Sequence, residues 1–403
     1  MNKNSFFYRQ ARPLCLLLTL CALLALFPAC TARQESSASA GSAPVYLACL
    51  NIGKADCLLL LNGPDAYLID TGYEQNYPAL QAMLSYYGVS RLRGVFLTHC
   101  HQDHMGGLAP LSQSDIAVDA WYAADRYLVK TKKHPQVKAA ASRGQSVSWL
   151  AAGDEIAASQ DAFFTVLGPV FEDERTENNN SLVLHFSSPH GSILLCGDMK
   201  EDEEDSLLED VSPCDVIKIA HHGGKNAAGA RLLQRAQPRV ALICTDTAER
   251  ADTPSPEVLR RLAAMNCAVY VTQNTADALE ITLQNGQAAV RDVAWPDAPA
   301  RTQGIEMRIN PADDTLTLKN NAATALTLTG WQIYSTKGNE LFILPQLTLA
   351  PGEAYEIGSR ATPHASDAIW DEKRVWHATE YDLAILYDAL GRPVARTDNG
   401  IPE

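Results

Sequence analysis

The sequence predicts an α/β domain followed by an all-β sandwich, and three observations carry that reading. Between residues 44 and 296, short apolar runs alternate with helix-period segments, the texture of a layered α/β domain. From Ile305 onward the chain turns to short alternating runs such as IEMRIN, TLTLKN, LTLTGWQIY, ELFILP and LAILYD, separated by turn residues. The third observation is the stretch Thr98 to Gly107, THCHQDHMGG, directly after the apolar run Gly94 to Leu97. It sets a dense polar cluster where a buried strand gives way to a glycine-softened loop.

Residues 1 to 13 carry three positive charges, and Leu14 to Phe27 is apolar apart from Thr19. That run is short for a membrane span and has the order of a secretory signal. It ends in LFPAC, with Ala29 before Cys30, which resembles a bacterial lipoprotein cleavage site. The expectation is a signal peptide over 1–30, lipidation of Cys30 and hence membrane attachment at the outer cell surface, with simple secretion as the alternative. Residues 31 to 43 are small and polar and read as a tether. The formal charge of −14 becomes −17 without residues 1–30, which hold Lys3, Arg9, Arg12 and no acid. Such a surface repels polyanions at long range, so charge does not predict a broad nucleic-acid groove, although a few lysines and bound cations would still recruit a phosphate. Seven cysteines follow Cys30, mostly in apolar runs and without regular spacing, which argues for buried thiols and against a disulfide framework.

Val45 to Gly72 reads as a hairpin, VYLACLNIGKADCLLLL then AYLIDTG, turning at NGPD; Asp56 and Asp70 are expected to bond loop amides. A helix over Pro78 to Gly88, with Leu80, Met83, Leu84 and Tyr87 on one face, delivers the chain to the Gly94–Leu97 strand. His99 and His101 are two apart and share a side if the strand persists, while Asp103 and His104 follow in the turn. Imidazoles with a carboxylate form the borderline N/O shell that suits zinc, and also iron or manganese. Cys100 should point away from them. The basic run Lys130 to Pro135 reads as a solvated turn; GQSVSWLAAGDEI and FFTVLGP read as strands of a second sheet.

The motif HxHxDH after a strand, with Thr98 before and Gly106 and Gly107 after, resembles the metal-binding motif of the metallo-β-lactamase fold superfamily. IGKADCLLL, ENNNSLVLHF, SILLCGD and KIAHHGG resemble the hydrolase domain of the DNA-uptake protein ComEC and its secreted relatives. That resemblance implies an αββα sandwich over 44–296 with two divalent metal ions, zinc first and manganese as the alternative. His99, His101 and Asp198 would hold one ion, and Asp103, His104, Asp198 and His221 the other. His221 is favoured over His222 because it lies nearer the strand end. Asp103, His222 and Asn180 are the candidate catalytic residues: His222 as a donor to substrate, Asn180 from the Asn-rich turn that replaces a third histidine found in many members. Lys54, Gly224 and Thr253 depart from the ComEC-like pattern, and Lys225 and Asn226 stand where they can replace the serine lost at Gly224.

The C-terminal combination LKNNAATALTLTGWQIYS, LPQLTLAPGEAYEI and DLAILYDALGRPV resembles the lamin-tail domain, an immunoglobulin-like module, over 301–403. Trp331 is its expected core anchor, and its ligand is unknown. The function implied is a hydrolase that uses water activated by a dinuclear site, acting on phosphodiesters including extracellular DNA. The alternatives are another ester, lactone, phosphocholine or β-lactam bond on the same metals, or a catalytically silent surface-binding lipoprotein.

Overall fold

A computed structural model of the chain describes residues 43–125, 147–296 and 298–402. The expected signal peptide, Cys30, most of the tether and the Lys130–Pro135 turn lie outside the described residues. No helix among the described residues is long and apolar enough to cross a membrane.

Two sheets lie face to face. The first holds eight strands; its antiparallel half runs Gln287–Val293, Ala278–Gln284, Val45–Leu50, Leu58–Asn62 and Asp65–Ile69, and its parallel half continues through Gly94–Leu97, Trp121–Ala124 and Val147–Leu150. The second has seven: Ala268–Val271, Val240–Ile243, Val216–Lys218 and Gly191–Leu195 are parallel, and Val183–Ser188, Phe163–Gly168 and Glu155–Ala157 complete it antiparallel. Alternation along the strands gives each sheet an inner and an outer apolar face. Leu47, Phe96, Phe164, Phe186, Leu195 and Leu242 fill the space between the sheets. The outer face of the first sheet is covered by the helix Tyr77–Tyr86, through Leu80, Met83 and Leu84. That of the second is covered by Ala230–Ala236 and Pro256–Ala264, through Leu232, Leu233, Val258 and Leu262. Ser255 caps the last of these by accepting from Glu257 N at 3.3 Å, with Pro256 at the first helical position. The result is the expected αββα layering.

Two details differ from expectation. The run VYLACLNIGKADCLLLL is two strands, because Gly53 at φ +90° breaks it into a loop, Asn51 to Cys57, that carries Lys54 and Asp56. Val147–Leu150 extends the first sheet, not the second, pairing parallel to Trp121–Ala124.

Residues 305–398 form two four-stranded sheets and a short two-stranded one, Leu326–Thr327 with Thr348–Leu349, around one core that includes Leu316, Leu318, Trp331, Ile333, Trp376 and Leu386. Trp331 anchors this sandwich as expected, and His364 is an exposed partner of Glu356. The described residues from Ala43 onward form one compact unit. Two arginines tie the sandwich to the α/β layers: buried Arg392 bonds Asp277 at 3.0 Å, and half-buried Arg301 donates to the Asn51 and Ala276 carbonyls at 3.0 and 2.8 Å.

Candidate metal centre

Parallel strands end on the same edge of their sheet, so Gly94–Leu97, Gly191–Leu195, Val216–Lys218 and Val240–Ile243 deliver four loops to one rim. After the strand the chain bends at Cys100, His101 is extended, and a single helical turn, Gln102–Met105, swings Asp103 and His104 back toward the sheet edges. The neighbouring loops are stitched to that turn: Asp56 N donates to Asp103 O at 3.0 Å, and Thr71 N to His104 O at 2.6 Å.

Asp103, His104, Asp198 and His222 converge, with one ligand atom from each within 4.8 Å of the others. His104 Nε2 stands 3.2 Å from Asp198 Oδ2, and His222 Nε2 stands 3.3 Å from both Asp103 Oδ2 and Asp198 Oδ2. Both Nε2 atoms are buried without a hydrogen-bond partner. The other ring nitrogen of each is engaged: His104 Nδ1 donates to Asp70 Oδ2 at 2.7 Å, and His222 Nδ1 to the Cys244 carbonyl at 2.8 Å. These bonds fix the tautomers that turn an Nε2 lone pair toward the carboxylates, which is how metal-ligating imidazoles are oriented.

The electrostatics make the same demand. Burial opposes charge on His104, but Asp198, Asp56, Asp70 and Asp103 outweigh it and raise its pKa well above the usual imidazole range. Burial likewise disfavours charge on Asp103 and Asp198; Lys54 and His104 at the first, and His104 and His222 at the second, still hold both well below the carboxylate range. A buried cluster this acidic needs positive charge, which protons on the imidazoles supply in the free chain; a divalent cation would take their place, and two carboxylates with two imidazoles freed of that proton form a donor set that suits it. The residues fit the metal.

His99 is buried and His101 exposed; they lie beside this cluster, with His99 Nε2 2.9 Å from His101 Nδ1 and 4.0 Å from Asp198 Oδ2. Burial, then the neighbouring His104 charge, lowers the His99 pKa and keeps the ring neutral. Ser181, in the turn where a third histidine was missed, accepts the Asp198 amide at 3.0 Å and so aims that carboxylate. Gly197 has φ +52°, and a Cβ there would stand 2.8 Å from the Ser181 Cβ, so the strand end accepts only glycine.

Two expectations are corrected. His222, not His221, reaches the cluster: both adopt left-handed backbone, φ 53° and 49°, so strand alternation stops before them. Each such residue costs about 1–2 kcal/mol; the His222–Cys244 bond and the His221 amide to Asp198 Oδ1 at 3.1 Å offset that cost. The His221 ring turns to Asn226 Oδ1 at 3.1 Å. Asn180 does not face the site either. Its amide bonds Asp173 N and O at 2.8 and 3.0 Å and Glu177, pinning the turn that presents Ser181. Cys100 packs on the helix-side core as expected. Thr253 is buried and bonded to Thr245 at 2.7 Å, and Lys225 is exposed.

Lys218 is a site residue that sequence reasoning passed over. It is 2% exposed, pairs with Asp56, donates to Gly197 O at 3.0 Å and lies 3.8 Å from Asp198 Oδ1. The signal was present: a lysine inside the apolar run VIKIA must have a buried partner, because an unpaired buried ammonium is prohibitively costly.

Residues 51–247 match the metallo-beta-lactamase superfamily model. The chain is 30% identical over 178 residues to ComE operon protein 3 of Bacillus subtilis, covering 43% of this chain and 23% of that protein. It is 24% identical over 234 residues to Recombination protein 2 of Haemophilus influenzae, covering 56% and 27% respectively. The chain thus spans about a quarter of the length of these relatives. Among solved structures it is similar to the metallo-beta-lactamase fold protein YhfI from Bacillus subtilis, at 12% identity and TM-score 0.40, over 62% of this chain and all of that one.

Proposed function

We propose, from the premise that this chain carries a metallo-β-lactamase superfamily hydrolase domain over residues 51–247, that it is an extracytoplasmic metal-dependent hydrolase of phosphodiesters. One observation carries the reading: the orphaned Nε2 atoms of buried His104 and His222 face the carboxylates of Asp103 and Asp198. Those four residues would hold one divalent cation, with His99, His101 and Asp198 holding a second; zinc is the proposed metal and manganese the alternative. Divalent cations at such a site supply Lewis acidity toward a phosphoryl or carbonyl oxygen and acidify water. The chain's own part is to fix the donors. Asp70 and the Cys244 carbonyl hold two imidazole protons on the far nitrogens, and the Ser181 hydroxyl and His221 amide orient Asp198.

The relatives' names, one from a ComE operon and one a recombination protein, support a nucleic-acid type diester as substrate. The formal charge of −14 favours short diesters or small esters over a long polyanion, which the surface repels at low salt. The outer-surface location rests on the signal-like N-terminus and Cys30.

The test is hydrolysis of plasmid DNA, bis-p-nitrophenyl phosphate, a lactone and nitrocefin by the full chain, with elemental analysis of the same preparation. Zinc- or manganese-dependent diester cleavage that stops with a chelator and is lost in His222→Ala is expected. Equal cleavage by that variant, or cleavage of the lactone or nitrocefin alone, overturns the phosphodiester reading.

A further inference from the structure

Lys54 stands at the end of a chain of contacts that begins in the C-terminal sandwich. Arg396, on strand Pro393–Asp398, donates from Nη2 to Glu249 Oε1 at 2.9 Å and to Asp246 Oδ2 at 2.6 Å. The other Glu249 oxygen accepts the Lys54 backbone N–H at 2.9 Å. A Cβ on Gly53 would overlap the Glu249 carboxylate, so that carboxylate lies directly on the Gly53–Lys54 peptide. Lys54 Nζ then reaches Asp103 Oδ2 at 3.1 Å. A second tie holds the same edge of the sandwich: Tyr334 packs on Tyr73 with centroids 5.3 Å apart, and Asn76 Nδ2 donates to Gly391 O at 2.9 Å.

The exposures along this chain decide its use. The side chains of Glu249 and Arg396 are 4% and 14% exposed, so the clamp is shielded from solvent. Lys54 keeps 22%, and Lys218, the other lysine touching the acidic cluster, keeps 2% and is taken by Asp56. Lys54 is therefore the lysine of the cluster that an incoming molecule meets. An ammonium has three donors, and Asp103 occupies one. The other two have no protein partner among the described residues, so an anionic oxygen arriving at the centre can take one, which Lys218, held by Asp56 and the Gly197 carbonyl, does not offer.

We propose that Lys54 is the residue that receives the substrate's anionic oxygen, and that Arg396 and Glu249 are positioning residues that set its loop. The C-terminal sandwich thereby completes the site. The substrate class rests on the phosphodiester reading above; the clamp does not.

The experiment uses the full zinc-loaded chain, with bis-p-nitrophenyl phosphate and the neutral ester p-nitrophenyl acetate as substrates. Loss of one charge-assisted hydrogen bond predicts a rise in KM for the diester of about tenfold in Lys54→Gln. The loss for the diester should exceed that for the acetate at least fivefold, and Lys54→Arg should restore most of it. Arg396→Gln should raise the same KM at least threefold on the native background and less than twofold on the Lys54→Gln background. Equal losses on both substrates, or an Arg396→Gln effect that is undiminished without Lys54, overturns the proposal. Calorimetric binding of dimethyl phosphate, which needs no turnover, separates the two readings. Lys54-dependent binding without turnover removes the hydrolase reading and leaves this one, whereas turnover with Lys54-independent binding removes this one alone. Absence of both turnover and Lys54-dependent binding removes both.

Discussion

Asp70 holds His104 from behind: its Oδ2 accepts the Nδ1 proton at 2.7 Å, while Thr98 bonds the same carboxylate through its amide and hydroxyl at 2.8 and 2.7 Å. The carboxylate, fully buried, thus joins the end of one strand to the imidazole presented by the next. Asp70→Asn keeps the shape but offers an amide group where the imidazole needs a strong acceptor. Removing an orienting partner of this kind costs about 10–100-fold in metal affinity. Competition titration against a chromophoric chelator should show that loss with the fold intact by circular dichroism; unchanged affinity would remove Asp70 from the site.

The two consecutive histidines should behave oppositely. His222→Ala takes away a buried ring facing Asp103 and Asp198, so metal content measured by elemental analysis should fall by about one equivalent under the proposed two-ion occupancy. His221→Ala takes away a ring that bonds Asn226, and metal content should be retained. The reverse pattern would reinstate His221 as the ligand.

Asp173 gives the loop before Ser181 a pH dependence. Its buried carboxylate accepts Arg175 and Asn179 side chains and the amides of residues 175 and 176, and the Arg175 bond foremost holds its pKa well below the usual range. A depressed folded-state pKa contributes stability that is present above the unfolded value, about 3.9, and lost as pH falls through the folded one. Urea midpoints should therefore fall below about pH 4 in the native protein and fall less steeply in Asp173→Asn, which should be the less stable protein at pH 7. Parallel curves for the two would show that another group carries the acid transition.

Phe96 lies between the sheets with its ring stacked on Tyr122 at 4.7 Å and within 4.7 Å of Phe164, fully buried. Phe96→Ala should cost about 3–5 kcal/mol, the usual range for emptying such a position. Equilibrium urea unfolding measures it; a cost below about 1 kcal/mol would mean that the core collapses into the space.

Much of this was readable residue by residue. The apolar runs, the Asn285–Gly286 turn and the Ser255–Pro256 helix start depend on local periodicity and local sterics, so the layered α/β class and the later sandwich followed from the chain itself. The THCHQDHMGG stretch announced a metal-binding rim because its donors, His99 to His104, span only six residues just after one strand end. What adjacency in sequence could not decide was direction. Whether His221 or His222 faces inward turns on two left-handed residues and on the Cys244 carbonyl of another strand, and Asn180 looks away because Asp173 claims its amide. The link from Arg396 through Glu249 to Lys54 joins residues 396, 249 and 54, and no local rule couples such distant positions. Those assignments came only when packing brought the strand ends and the sandwich edge together, because hydrogen-bond partners are chosen by distance in space and not along the chain.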